Sequence, residues 1–383
     1  MPGTVKTKET IPVCEPLLDG NELAYVQDCL KTNWISSSGK YIPAFEEAFS
    51  RYCGARYGVA CSSGTTAIHL ALASLGIGPG DEVIVPSFNL IAGAVAVILT
   101  GARVVLADAD PVTWCVDPAR IEEKVTPRTK AILAVHIYGH PCDMDPILET
   151  ARRHRLQVIE DGAEAHGAEY KGRRVGAIGN ISCFSFYGNK IVTTGEGGMV
   201  VTDDRAAADR ARLLRNQAFE EPRFVHRFIG FNYRLTNIQA ALGLAQCEKI
   251  DERLEQKRRI ARWYTERLKP ESGLTLPTEA PWAKNVYWMY GILLRDSFGC
   301  SRDRAMELLK QQGIETRAFF YPLNRQPVFL NGNDPRFPSA EESHPVSERL
   351  GREGLYLPSG AGLTENQVEE VVAALLQCRG AEK

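Results

Sequence analysis

The chain has 383 residues, 44% of them apolar, which is ample for two domains and a sizeable core. A formal net charge of −2, from 45 basic and 47 acidic residues, gives no basic footprint for nucleic acid. No apolar run is long enough for a bilayer, the opening MPGTVKTKETIPV lacks the apolar centre of a signal peptide, and ten cysteines lie scattered without a CxxC pair. The expectation is a cytoplasmic protein with reduced thiols and neither a nucleic-acid nor a membrane partner.

In chain order, Tyr57–Cys61 reads as a strand feeding a helix that starts near Gly64. Asp81–Pro86 reads as a buried strand before the apolar helix Leu90–Leu99, and further strands are expected at Arg103–Ala107, Ala131–Ile137 and Gln157–Glu160, with the helix Pro146–His154 among them. This alternation predicts an α/β fold with a parallel or mixed sheet covered by helices, and with ligands beyond the carboxyl ends of the strands. Asn237–Leu268 forms one long helical pattern that stops before the breakers Pro270 and Gly273. A smaller domain is expected from there, with a strand at Val286–Leu294 and a closing helix at Glu365–Cys378; no internal repeat or low-complexity segment is seen.

Lys190 stands apart from the solvated charges. In CFSFYGNKIVTTGEGGMVVT, Cys183 to Thr202, it occupies a glycine-flanked turn between two strand-like runs, five residues after Ser185, bracketed by Gly188, Asn189, Ile191 and Thr193. A lysine whose amine can lose its proton forms a Schiff base with an aldehyde cofactor, and pyridoxal 5′-phosphate is the commonest such cofactor. Two further parts of such a site are present. Ser62, Ser63, Gly64, Thr65 and Thr66 make a small-residue turn at a helix start, which serves either as a plain N-cap or as a phosphate cradle. Asp161, just past the Gln157–Glu160 strand in VIEDGAEAHGA, either caps a following helix or faces the pyridine nitrogen of the cofactor. Glu164 either contacts the cofactor's phenolic oxygen or is an exposed helix glutamate, and His166 reads as a packing histidine. The GEGG run Gly195–Gly198 is a tight turn that also permits close backbone approach. Tyr287, Trp288 and Tyr290 read as core or, less readily, as a ligand platform.

Taken together, SGTTA, EDGAEAHGA, SFYGNK, TTGEGGMV and GFNYRLTNIQAALGLAQ, in this order, resemble the sugar aminotransferases of the DegT/DnrJ/EryC1/StrS family. The resemblance runs from IPVCEPLLDGNE and WISSSGKY to LYLPSGAGLTENQ. It implies a fold-type I pyridoxal phosphate enzyme: a mixed, mostly parallel sheet sandwiched by helices in residues 1–268, and a smaller C-terminal α+β domain in residues 269–383. It implies that Lys190 is the Schiff-base lysine and proton carrier, that Asp161 pairs with the pyridinium nitrogen, and that Glu164 contacts the cofactor's O3′. Ser185 with the amides of Gly64 and Thr65 would hold the phosphate, and Asn232 would reach that phosphate from a neighbouring subunit, in a homodimer with shared active sites. No metal is called for. The implied partners are a keto nucleotide sugar and L-glutamate as amino donor; VHIYGHPCDMDPIL, SFYGNKIVTTGEGGMV and NVYWMY look most like the branch acting on GDP-4-keto-6-deoxymannose. Other keto nucleotide sugars or a keto-cyclitol remain as acceptors, a 3-dehydratase is disfavoured by Lys190 where that group carries histidine, and a non-catalytic protein of the same fold is the remaining alternative.

Two departures stand out. Leu90 occupies a position where relatives place a ring that stacks on the cofactor, and Asn324 in RAFFYPLNRQP replaces a histidine expected near the sugar.

Overall fold

The computed structural model describes residues 10–339 and 341–381. Most of the N-terminal stretch read above for a signal sequence lies outside these residues.

The larger sheet has seven strands: β1 (Tyr57–Cys61), β2 (Glu82–Pro86), β3 (Arg103–Ala107), β4 (Thr129–Val135), β5 (Gln157–Asp161), β6 (Ile181–Ser185) and β7 (Gly198–Thr202). Their spatial order is β1-β7-β6-β5-β4-β2-β3. β7 is antiparallel to both neighbours, and the other adjacent pairs are parallel. Every residue of β2 and β7 is buried, as a sheet covered on both faces requires. The covering helices carry matching patterns. Met144–His154 buries Met144, Ile147, Thr150 and Ala151 at helical spacing and keeps its arginines in the last turn, where they complement the carbonyl end.

A second sheet follows, with β8 (Leu274–Thr275), β9 (Tyr290–Leu294), β10 (Arg317–Ala318) and β11 (Gly354–Leu357) in the order β8-β9-β11-β10, all antiparallel. Its core gathers Tyr290, Ile292, Leu355 and Leu357 with Val368, Val371 and Leu375 of the helix Glu365–Gln377. Ile260, Tyr264 and Leu268 of the helix Ile250–Leu268 join the same core, as does Ile11, which bridges to Ile314. Among the described residues no helix is long and apolar enough to cross a membrane.

Several boundaries differ from expectation for identifiable reasons. The strand expected to reach Ile137 ends at Val135: the ladder to β5 closes with the amide of His136 donating to the carbonyl of Asp161 (3.1 Å), and beyond it Tyr138 adopts a φ of 50° that no strand continues. The helix expected from Leu90 begins at Ala92, leaving Leu90 in the preceding loop. The pattern Asn237–Leu268 is two helices, Asn237–Cys247 and Ile250–Leu268. The break carries Glu248, whose carboxylate is held by Tyr25 Oη and Asn21 Nδ2, both at 2.7 Å. The strand expected from Val286 begins at Tyr290, since Tyr287 has a φ of 49° and the chain is irregular up to it.

Candidate active site at the carboxyl ends of the strands

A cavity of about 370 Å³ opens at the carboxyl ends of β2, β4, β5 and β6, where ligand sites of such sheets are expected. Gly64, Thr65, Leu90, Asp161, Glu164, Ser185 and Lys190 all line it.

Lys190 follows β6, and its side chain is only 9% exposed. Nζ stands 3.8 Å from Glu164 Oε1 and 3.6 Å from the centre of the Trp288 ring. Burial lowers the lysine's pKa, against the pull of the Glu164 and Asp161 carboxylates. Burial likewise pushes Glu164 up to about 7, although Lys190 and the amide of Tyr138, which donates to Oε2 at 2.8 Å, favour the ionised form.

No helix follows Asp161, so neither the helix-capping reading of Asp161 nor the exposed-helix reading of Glu164 describes this chain. Residues 162–168 form turns: Asp161 Oδ1 accepts the Ala163 amide at 3.0 Å, and the buried carboxyl, raised in pKa by desolvation, faces the cavity. Alternation along β5 sends the preceding residue to the other side. Glu160 is fully buried there and accepts from the amides of Gly176, Ile178 and Gly179, the Ser182 hydroxyl and His136 Nε2. Burial pushes that carboxyl up, but His136 and the amides outweigh it and hold it below its usual value.

At the other end of the cavity, Ser63 caps the helix Gly64–Ser74 in a reciprocal box with Thr66. The cap takes the Thr66 amide, leaving Gly64 and Thr65 to present the helix N-terminus to the cavity beside Ser185. The approach is close: a Cβ on Gly64 would lie 2.6 Å from Ser185 Cβ. The cap reading of the Ser62–Thr66 turn therefore holds, and it leaves the first turn of the helix facing the cavity.

A buried base lysine, a carboxylate about to face a ring and a helix N-terminus for a phosphate are the donor set that pyridoxal phosphate requires. Asn89 adds to the fit, since its Nδ2 is buried on the cavity wall without a hydrogen-bond partner, as expected where a ligand completes the site.

Other residues fall elsewhere. Asn232 is exposed and outside this cavity, its Oδ1 accepting from Arg234 at 2.8 and 3.0 Å. Asn324 is a buried tie: Oδ1 accepts the Ser87 hydroxyl (3.0 Å) and Nδ2 donates to Glu348 (2.8 Å), so that departure does not reach the cavity wall. His166 packs among Phe49, Phe184 and Phe186, accepts the Val192 amide at Nδ1 (3.2 Å), and is held neutral by burial. The aromatic trio divides. Tyr290 stacks on Tyr264 in the second core, whereas Trp288 faces the cavity. Phe320 and Tyr356 also line the cavity from the C-terminal part of the chain, with no motif to announce them.

The sequence profile of the DegT/DnrJ/EryC1/StrS aminotransferase family matches residues 16–376. The chain belongs to this family. It is 49% identical over 369 residues to the GDP-perosamine synthase of Caulobacter vibrioides, covering 96% of this chain and 98% of that one. It is 45% identical over 359 residues to the GDP-perosamine synthase of Escherichia coli O157:H7, covering 94% and 95%. Among solved structures, that of S. venezuelae DesV in complex with a ketimine intermediate superposes with a TM-score of 0.89 at 35% identity, over 97% of this chain and 98% of that one. The mixed, mostly parallel sheet with its helices is the architecture of these aminotransferases.

Proposed function

We propose that this chain is a pyridoxal phosphate-dependent transaminase that moves an amino group from L-glutamate to the carbonyl carbon of GDP-4-keto-6-deoxymannose, giving GDP-perosamine. The observation that carries the reading is the convergence of buried Lys190, Asp161 and the Gly64–Ser185 cradle in one cavity. It is supported by relatives of 49% and 45% identity over nearly the whole chain that bear the name GDP-perosamine synthase.

Pyridoxal phosphate supplies an electron sink for the carbanion at the amine-bearing carbon; the rest falls to side chains. Lys190 Nζ is the covalent anchor and the acid and base that carries the proton, and its lowered pKa raises the fraction of free base at neutral pH. Asp161 keeps the ring nitrogen protonated, and that cation supplies the counter-charge its buried carboxylate needs. Glu164 addresses the phenolic oxygen. The Gly64 and Thr65 amides, the helix N-terminus and the Ser185 hydroxyl hold the phosphate. Leu90 covers a face of the ring by dispersion.

Asn232, in this reading, serves the phosphate end of a second copy's cavity, in a homodimer with shared active sites. Its surroundings support the assignment: Phe224, Val225, Phe228 and Ile229 are exposed, Ile229 by 92%, as an apolar surface awaiting a second copy would be. We assign residues 1–268 to the cofactor domain and 269–383 to a smaller domain that closes over the sugar, and place the enzyme in the cytoplasm.

The test is the mass of the sugar nucleotide after incubation of the protein with pyridoxal phosphate, L-glutamate and GDP-4-keto-6-deoxymannose. The expected result is a ketone-to-amine mass change that Lys190→Ala abolishes. A yellow protein that glutamate bleaches but that leaves this sugar unchanged would refute the acceptor and retain the transaminase; turnover by Lys190→Ala would refute the lysine assignment.

A further inference from the structure

The only aromatic face that Lys190 Nζ meets among the described contacts is that of Trp288, and the indole is held from two sides. Its Nε1–H donates to the carbonyl of Asn189, the residue before the lysine, at 2.8 Å. Its own carbonyl accepts from Lys257 Nζ at 2.6 Å, and the same ammonium also donates to the carbonyl of Ser359. Lys257 is 4% exposed on the helix Ile250–Leu268, with Ser359 two residues beyond β11. A buried ammonium is retained only where its donors are matched, and here they are spent on fixing backbone carbonyls of the C-terminal part of the chain.

We propose that the indole of Trp288 is the seat of the Lys190 side chain whenever its nitrogen is not bonded to the cofactor, and that Lys257 is the positioning residue that fixes this seat. The inference rests on the reading of Lys190 as the covalent anchor. A transaminase must free that lysine in every cycle: the incoming amine forms a carbon–nitrogen bond to the carbon Lys190 held, the lysine's bond to it breaks, and Lys190 leaves as a primary amine with no change of oxidation state. A released lysine with about four rotatable bonds would lose its alignment for the following proton transfer. The indole face attracts the ammonium and holds it beside Glu164 (3.8 Å). The other titratable groups acting on Nζ are Asp161, from the end of β5, His166, from the turn after it, and Cys14, from the N-terminal segment. None of them is changed by a substitution at position 288.

The experiment is the pH dependence of pyridoxal phosphate capture by the cofactor-free, full-length protein, followed by the absorbance of the lysine adduct, alongside single-turnover bleaching by glutamate. Trp288→Leu removes the π face. Capture at neutral pH is expected to become about two- to thirtyfold faster as the lysine's apparent ionisation moves to lower pH, while the proton-transfer step becomes slower. Trp288→Phe restores a π face and is expected to return the profile toward wild type. Lys257→Met is expected to shift it in the direction of Trp288→Leu, with no further shift in the double variant. Loss of packing alone would slow both steps and leave the capture midpoint in place. That outcome, or an equal shift in Trp288→Phe, overturns the proposal. Should Trp288→Leu not fold, the comparison of Trp288→Phe with Lys257→Met decides it. Failure of the wild-type protein to form the adduct at Lys190 would instead overturn the transaminase reading.

Discussion

Gly64→Ala tests the cradle at one methyl group. The new Cβ would stand 2.6 Å from Ser185 Cβ, 3.1 Å from its Oγ and 3.3 Å from its Cα. Non-bonded carbons settle at about 3.5–4.0 Å, so the helix Gly64–Ser74 and β6 must part by about 1 Å. No rotamer of Ser185 relieves this, because Cβ and Cα are fixed by the strand backbone. Overpacking of this kind costs about 1–3 kcal/mol, of which alanine's better helix propensity returns up to about 1 kcal/mol. Stability therefore moves little, and the cofactor is the sensitive readout. Displacing the amides and hydroxyl that meet a phosphate forfeits charge-assisted hydrogen bonds of about 1.5–3 kcal/mol each. With one or two lost, cofactor affinity is expected to fall roughly ten- to thousandfold. Absorbance titration of cofactor-free protein with pyridoxal phosphate measures it, with thermal unfolding as control. The same titration in a Ser185→Gly background, which removes the two nearest contacts and leaves only that with Cα, should show Gly64→Ala costing much less. Affinity within twofold of wild type, or an undiminished cost in that background, would refute the reasoning.

Two other outcomes follow from the same site. Asp161 has a folded pKa raised by burial, so the cofactor-free protein loses stability as pH climbs from the unfolded value near ~3.9 through the raised one. Cofactor-free Asp161→Asn should then match wild type near pH 4 and exceed it at pH 8 in urea unfolding, with saturating pyridoxal phosphate reversing the order; a variant less stable than wild type at pH 8 without cofactor would sink this account. Leu90, half exposed on the cavity wall, is expected to bind the cofactor about two- to tenfold more tightly when replaced by phenylalanine, the gain of one stacked ring, and a fluorescence titration showing weaker binding would contradict the placement of this side chain over the ring.

The strands were legible where a short apolar run is bounded by polar or turn residues, and β1 and β3 begin and end where expected, although β1 holds only Val59 as a β-branched residue. Ends governed by distant partners were not. Nothing local marks the break at Glu248, which carries neither glycine nor proline and is held by Asn21 and Tyr25 more than 220 positions away. The same division runs through the site. Lys190, Asp161 and the Ser62–Thr66 turn stand out because their chemistry is concentrated in contiguous motifs at strand ends. Trp288 was visible only as one of three aromatics, and its selection over Tyr290 depends on the chain becoming irregular just before β9. Lys257 was hidden in a charged helical run, because its partners are backbone carbonyls and no side-chain pattern encodes a carbonyl.

The electrostatics of the cavity explain why these residues had to be buried together. Lys190, Asp161 and Glu164 are each shifted by desolvation toward their neutral forms, so the fold without cofactor holds an unfavourable arrangement that one ammonium cannot balance against two carboxylates. In the proposed reading, a protonated ring nitrogen at Asp161 would supply the cation that the two carboxylates lack, and the cofactor's phosphate would meet the positive end of the helix Gly64–Ser74. Binding is then linked to stability, since a ligand that relieves a buried charge favours the folded state by its own binding free energy. In the proposed reading the neutral tendency of Lys190 would also make it a nucleophile, so the burial that destabilises the empty site would be the same property that prepares it for chemistry.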